Sequence, residues 1–212
     1  MHAHRGDRFM TQVNESGCCA GAKLRRLMPL PISEIERELV HTRRVRYEGY
    51  KRADGLWDIE AHITDVKSHD CTLRTGVRRA GVPIHDMVVR VTIDRKFNVV
   101  DALAVSDAVP YPGGCENIAP AYKKLIGLNL VRKFRDAVKE RLGGVQGCTH
   151  ITEMLAGMPT AAIQSLAGEL REERPPGRKP FQLDHCHAMD TSGETVRKWY
   201  PEWYAAKEKA GA

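Results

Sequence analysis

Two short segments bring thiol and imidazole side chains together at close spacing. One is Gly-Cys-Thr-His at residues 147–150, where Cys148 and His150 lie two positions apart, and the other is Asp-His-Cys-His at residues 184–187. Thiolates and imidazoles are ligands of transition metals, and a thiol beside an imidazole is also the pattern of a nucleophilic site. Neither segment is a complete site, so its chemistry depends on which other segments the fold brings near.

A third thiol, Cys115, follows two glycines and precedes a segment that we predict to be helical. The N-terminus of a helix stabilises negative charge, so a thiolate there is a better ligand or nucleophile. A buried cysteine in a tight turn is the alternative interpretation.

The 184–187 segment cannot use all its donors on one ion if its backbone is extended. His185 and His187 then share a face while Cys186 points away. A structural role for this segment, as one strand of a terminal hairpin, is the alternative to metal binding. Combining the three segments, we predict a zinc or iron site with the ligands Cys115, Cys148 and His150, completed by His187 or, alternatively, by Cys186.

The carboxylates Asp58 and Glu60 alternate along one side of a predicted strand. Such groups can act in general acid–base catalysis, although a solvent-facing side explains the same pattern. A second, catalytic set therefore consists of Asp58 or Glu60 as base and Cys148 or His150 as nucleophile or acid. Arginines within residues 43–52 would bind the carboxylate of the substrate.

Strict alternation of apolar and polar residues predicts strands that are buried on one face. Asp54-Gly55 is a strong turn signal and indicates a hairpin. His85 heads the apolar face of its strand, where a hydrogen-bonded core histidine is more common than a metal ligand. Four strands are predicted, at residues 45–52, 57–64, 85–93 and 97–105.

Helical periodicity dominates the second half of the chain. Strands followed by helices predict an α+β fold, with an antiparallel meander and a helical half packed on one face of the sheet. A short helix after Ser33 is predicted as well. The main helices are predicted at residues 117–126, at 128–142, and from 149 to 166 with a kink at Pro159.

The chain divides by composition into four parts. We predict a disordered tail at residues 1–22, a core domain at 23–170, a proline-rich and charged linker at 171–180, and a small module at 181–212. The last module is expected to be hairpin-like and to dock on the core through its aromatic residues.

Composition narrows the class of protein. With 42% hydrophobic and 28% charged residues, the sequence is typical of a soluble domain, and it lacks both the ~20-residue apolar run of a membrane span and a signal peptide. We therefore predict a cytoplasmic protein whose six cysteines are reduced.

The net charge of +6 arises partly from a basic stretch at residues 23–52, which matches no nucleic-acid-binding motif. The expected partner is a small anionic molecule or a metal-delivery or acceptor protein, rather than nucleic acid or a membrane. P-loop, Rossmann, serine hydrolase and zincin signatures are missing from the sequence.

Three of these segments resemble an uncharacterised bacterial family that is catalogued as a domain of unknown function, the DUF2889 type. They are residues 52–61, the loop at 110–115 and the Gly-Cys-Thr-His segment, and the resemblance covers residues 30–164. It implies a bacterial, cytoplasmic protein but no activity.

A more distant likeness is to the iron–sulfur scaffold fold of NifU-like proteins, in which strands precede a helix that begins at Gly-Cys. The resemblance implies cluster ligands at Cys115 and Cys148. The first cysteine of the scaffold, expected near residues 80–85, has no counterpart here, so the implied cluster site is incomplete.

Three hypotheses follow. The leading one is a thiolate and imidazole metal-binding or iron–sulfur-related accessory protein. The alternative is a small-molecule enzyme that acts on an anionic carboxylate substrate by acid–base or cysteine chemistry. The third is a non-catalytic interaction module with structural cysteines.

Overall fold

The computed structural model describes Leu30, residues 33–172 and residues 174–206. The described residues from Leu39 onward form one compact unit. The tail predicted at residues 1–22 lies outside the described residues, and the division into core, linker and module stays a prediction. Among the described residues, no helix has the length and apolar character needed to cross a membrane.

The unit is built on one four-stranded antiparallel sheet, whose strand order is β1-β2-β5-β6. A small two-stranded hairpin, β3–β4, lies between β2 and β5 in the chain. The strands are β1 His41–Lys51, β2 Trp57–Lys67, β3 Cys71–Leu73, β4 Gly76–Arg78, β5 Pro83–Ile93 and β6 Val99–Ala108.

The alternation along β2 separates two faces of this sheet. Ile59, Ala61 and Ile63 have no exposed surface, whereas the intervening Asp58 and Glu60 are half-buried. Helices contact the apolar side, which we call the inner face, and the side with Asp58 and Glu60 is the outer face. Burial of the inner face against helices supplies the main hydrophobic stabilisation.

Helices follow the sheet in the chain, so the predicted α+β fold is confirmed. The second and third α-helices contact β1, β2 and β5, and a long 3-10 helix contacts β6. The helices are the 3-10 helix Glu116–Leu125, α1 Phe134–Leu142, α2 Thr149–Leu155, α3 Met158–Glu172 and α4 Glu194–Trp199. Shorter 3-10 turns occur at Gly144–Gln146, His187–Met189 and Pro201–Trp203.

Three predicted helices differ from the structure. The helix expected from residue 128 starts only at Phe134, because the backbone of Leu130 donates to Phe97 and Lys133 adopts a left-handed conformation. The helix from Thr149 is divided instead of kinked: α2 ends at Leu155 and α3 begins at Met158. The short helix predicted after Ser33 is not formed, because the Ser33 side chain makes a local turn with Ile35.

Gly157 occupies the break between α2 and α3 because a side chain would not fit there. A Cβ atom at this position would come within 2.4 Å of the Tyr47 hydroxyl oxygen. That hydroxyl donates a hydrogen bond to the carbonyl of Met154, at 2.9 Å. The break therefore lets β1 approach the end of α2 closely.

The C-terminal segment contains α4 and two 3-10 turns in place of the hairpin-like pairing that we predicted. Leu183 and Val196 are buried in it, and the Gln182 side chain donates to the Tyr200 hydroxyl at 3.2 Å. Docking of this segment on the core stays a prediction.

Candidate metal site

Three polar residues form a row across one end of the inner face. The strand register places Arg43 of β1 opposite Asp65 of β2, and Asp65 opposite His85 of β5. Because residues two apart on a strand share a face, Asp65 continues the apolar row that ends at Ile63. A carboxylate thus lies where the core pattern calls for an apolar residue.

The start of α2 brings Cys148 and His150 to the same end of the sheet. The fully buried Tyr122 of the 3-10 helix anchors this segment, because its hydroxyl accepts from the Cys148 backbone N–H at 2.9 Å. The same hydroxyl lies 3.1 Å from the Cys148 carbonyl oxygen and 3.0 Å from the Thr152 hydroxyl. One phenol therefore fixes the backbone at the beginning of the helix that carries His150.

The Asp65 carboxylate accepts hydrogen bonds on both oxygens. Its Oδ1 lies 2.8 Å from Arg43 Nε and 2.9 Å from His41 Nε2, and its Oδ2 lies 2.9 Å from both Arg43 Nη2 and His85 Nδ1. Arg43 also reaches Glu153 of α2, with 2.7 Å between Nη1 and Oε2. A carboxylate has about four acceptor positions, so the four donors fill those of Asp65.

These contacts decide the charge of the site. Burial raises the pKa of Asp65, but hydrogen bonds from Arg43, the charge of Arg43, and hydrogen bonds from His41 and His85 outweigh burial and lower this pKa to about 2. Burial lowers the pKa of His85, helped by the neighbouring His150. Burial and Arg43 lower the pKa of His150 as well. The carboxylate is thus charged at neutral pH, while these two imidazoles are neutral.

Among the described residues, the potential ligand atoms of Asp65, His85 and His150 gather within 4.8 Å of one another. Asp65 Oδ2 lies 2.9 Å from His85 Nδ1 and 3.9 Å from His150 Nε2, and the two imidazole rings are 3.7 Å apart between centroids. Two ligand atoms that bind one zinc ion tetrahedrally at about 2.1 Å lie about 3.4 Å apart. This group of one buried carboxylate and two half-buried imidazoles could hold a metal ion.

Of the four predicted metal ligands, His150 belongs to this group and the others lie outside it. Cys148 is adjacent, with its Sγ 3.9 Å from His150 Nδ1 and 4.0 Å from Met87 Sδ, so it faces the opposite edge of the imidazole from Asp65. Cys115 is half-buried against the hydrophobic core, and His187 is exposed.

Asp58 and Glu60 are not brought together with Cys148 and His150. Both carboxylates are on the outer face, where Asp58 accepts from the Thr92 hydroxyl at 2.6 Å and Glu60 pairs with Arg90 on β5. Each carboxylate thus has a cross-strand partner on β5, a hydroxyl for Asp58 and a guanidinium for Glu60, as expected for a solvated sheet face.

Asp65 was not predicted as a site residue, although the sequence contains a signal for it. The apolar row of β2 continues at every second residue through Ile63, and the next position in that row is Asp65. The same period in β1 places Arg43 on the inner face. A charged residue in line with a buried row is the pattern that reveals such a site.

A family model matches residues 41–164, and its description is "Protein of unknown function (DUF2889)". The match covers more than half of the chain and includes Arg43, Asp65, His85 and His150. The chain belongs to this family. No curated protein and no solved structure matches the chain. The predicted likeness to NifU-like scaffolds is not supported by these comparisons.

Proposed function

We propose that this protein binds a divalent transition-metal ion through Asp65, His85 and His150. The observation that carries the proposal is the convergence of these donors within 4.8 Å, from β2, β5 and α2. Two imidazoles and one carboxylate are a ligand set for both zinc and non-haem iron(II). Zinc or iron is therefore the expected ion.

The ion would enter where a proton now joins two of the ligands. A carboxylate only accepts hydrogen bonds, so His85 Nδ1 carries the proton that lies between it and Asp65 Oδ2. Transfer of the single N–H proton of neutral His85 from Nδ1 to Nε2, a change of tautomer, frees one lone pair on each atom. His85 would then bind the ion as a neutral imidazole, the usual form of a histidine ligand.

The surrounding charges also accept a cation. With neutral imidazoles, Asp65 and Glu153 contribute two negative charges and Arg43 one positive charge, so the group has one net negative charge. Arg43 and His41 keep Asp65 Oδ1 occupied, and these contacts would orient the carboxylate from behind. The thiol of Cys148 is not needed as a ligand, and the proposal involves no iron–sulfur cluster.

Elemental analysis of protein purified from cells grown with both zinc and iron tests the proposal. About one ion per chain is expected, and His150→Ala should lower the affinity of the stripped protein for Zn²⁺ or Co²⁺ by at least tenfold. The matched control is His62→Ala, because His62 also contacts an aspartate, Asp86, but on the outer face.

Exposed donors in the C-terminal segment need a separate control. His185, Cys186 and His187 are all exposed and could capture metal weakly. A variant with alanine at these three positions should keep the ion if the inner-face site binds it. Metal-free wild-type protein, or equal affinity in wild type and His150→Ala, would contradict the proposal.

A second candidate function is cysteine chemistry on a carboxylate substrate. Cys148 Sγ, the His150 ring and Asp65 Oδ2 follow one another in the order thiol, imidazole and carboxylate, with 3.9 Å at each of the two contacts. This is the order of a nucleophile, its base and the group that orients the base. Both contacts are longer than the 2.6–3.2 Å typical of such hydrogen bonds, which is why metal binding is the leading proposal.

Paired alkylating reagents test this candidate. Iodoacetate carries a carboxylate and iodoacetamide is its neutral analogue, so the ratio of their rates at one thiol measures local preference for an anion. If Cys148 serves a carboxylate substrate, this ratio should be about tenfold higher at Cys148 than at Cys115, which is also half-buried against the core. Equal ratios at the two thiols would rule the candidate out.

A further inference from the structure

We propose that the metal ion at Asp65, His85 and His150 binds an oxyanion, and that Arg43 holds a second oxygen of the same anion. The inference rests on the proposed metal site and adds the class of ligand that this site takes. Three protein donors leave at least one position free on a four-coordinate ion, and more on a six-coordinate ion. A ligand from solution can fill such a position.

The site is open to solvent on the side where Arg43 lies. The Asp65 side chain is 4% exposed, but the side chains of His41, Arg43 and His150 are 35%, 32% and 26% exposed. A small molecule that approaches the buried carboxylate from solution therefore meets the guanidinium and the two imidazoles first. These groups donate hydrogen bonds, and a guanidinium also carries positive charge.

Arg43 is close enough to share a ligand with the ion. Its Nη2 lies 2.9 Å from Asp65 Oδ2, and an ion bound to that oxygen at about 2.1 Å would be within about 5 Å of Nη2. The Arg43 guanidinium has five N–H donors, and its contacts with Asp65 and Glu153 among the described residues use three of them. One further N–H on each terminal nitrogen can bind a ligand of the ion, which suits an anion that offers two oxygens.

Charge makes the anion depend on the metal. The group of Asp65, Glu153 and Arg43 has one net negative charge, which repels an anion, whereas a divalent cation changes the net charge to positive. Binding of the ion and of the anion should therefore be coupled. By linkage, the anion must raise the affinity for metal by the same factor as the metal raises the affinity for the anion.

Cobalt(II) is a visible-absorbing probe for the test, with the full-length protein and either acetate or inorganic phosphate as the anion. Wild-type protein loaded with Co²⁺ should show a saturable change in its visible spectrum, and Arg43→Lys should weaken anion binding at least about tenfold because an ammonium lacks the planar fork. Arg46→Lys is the matched control. Arg46 is on the same strand, but it lies on the outer face and pairs with Glu48.

A measurement on wild type alone does not depend on whether Arg43→Lys folds. Acetate or phosphate should raise the affinity of wild type for Co²⁺ by the same factor as Co²⁺ raises its affinity for the anion. A saturable response to acetate but not phosphate indicates a carboxylate ligand, and the reverse indicates a phosphate ester. Equal anion affinities in wild type and Arg43→Lys, with Co²⁺ bound in both, would overturn the inference and leave the metal site intact. Failure of wild type to bind Co²⁺ would overturn both.

Discussion

The two faces of the sheet each place a histidine against an aspartate, in very different surroundings. On the outer face, His62 and Asp86 are 29% and 28% exposed and make one contact with each other. On the inner face, Asp65 is 4% exposed and is held by Arg43, His41 and His85. The same two side-chain types thus form an ordinary surface pair on one face and a preorganised group on the other.

Partners and burial, and not residue types, therefore distinguish the candidate site from the surface pair. Desolvation makes a buried carboxylate costly unless it is paired and hydrogen-bonded. Asp65 meets this condition with four donors, and a protein gains little stability from such a group compared with an apolar residue of similar size. Its presence in the apolar row of β2 therefore favours a functional explanation.

The largest expected effect is a loss of stability in Asp65→Asn, which we compare with Asp86→Asn on the outer face. Asp65→Asn removes the charge that Arg43 requires and turns one acceptor into a donor, so the free energy of unfolding should fall by about 3–5 kcal/mol. Asp86→Asn should cost about 0–1 kcal/mol, because a half-exposed pair is screened by solvent. Urea unfolding at pH 7 in the presence of a chelator measures both, and equal losses would remove the distinction between the faces.

A smaller effect should appear in the pH dependence of stability. The pKa of Asp65 is lowered to about 2, so its ionised form stabilises the folded state by about 2 kcal/mol above the pKa of about 3.9 that it has when unfolded. This contribution should be lost as pH falls from about 4 towards 2. Urea unfolding of the metal-free protein between pH 7 and pH 3 should therefore show a smaller difference between wild type and Asp65→Asn at the acid end. A constant difference would contradict the assignment.

A further comparison between the two faces uses two buried hydroxyls, those of Tyr122 and Thr92. Tyr122→Phe leaves the Cys148 N–H without its partner, and Thr92→Val removes a bond to Asp58 on the outer face, so each should cost about 1–2 kcal/mol. Metal affinity should separate the two variants. Tyr122→Phe should weaken Co²⁺ binding several-fold because it loosens the backbone that carries His150, whereas Thr92→Val should not change it. Isothermal titration of both variants decides this.

Much of the fold could be predicted from local patterns. The period of two along β2 and β5 predicted the strands and their buried faces, and the order of strands before helices predicted the α+β class. Element ends were less accurate, because they depend on tertiary contacts. The start of α1 at Phe134 is an example, since the pairing of Leu130 with Phe97 prevents an earlier start.

Less of the candidate site could be predicted, because its residues meet only through cross-strand register and helix docking. His150 was predicted as a ligand from its neighbour Cys148, whereas His85, at the head of an apolar face, was expected to be a hydrogen-bonded core histidine. Asp65 lay one residue beyond the predicted end of its strand, and Arg43 lay before the predicted start of β1. For Asp58 and Glu60, the alternation along β2 already offered a solvent-facing side as the alternative to catalysis, and the structure has both residues on the outer face.

The hairpin turn at the far end of β1 and β2 has a consequence for this chemistry. Gly55 adopts a left-handed conformation there, and the Arg52 backbone donates to Leu56 across the turn. The length of this turn sets which residues of the two strands oppose each other, so it decides that Arg43 meets Asp65. One extra residue in the turn would leave every site residue in the chain and yet shift Arg43 and His41 along β2 away from Asp65. A loop that contributes no ligand therefore controls how the buried carboxylate is held.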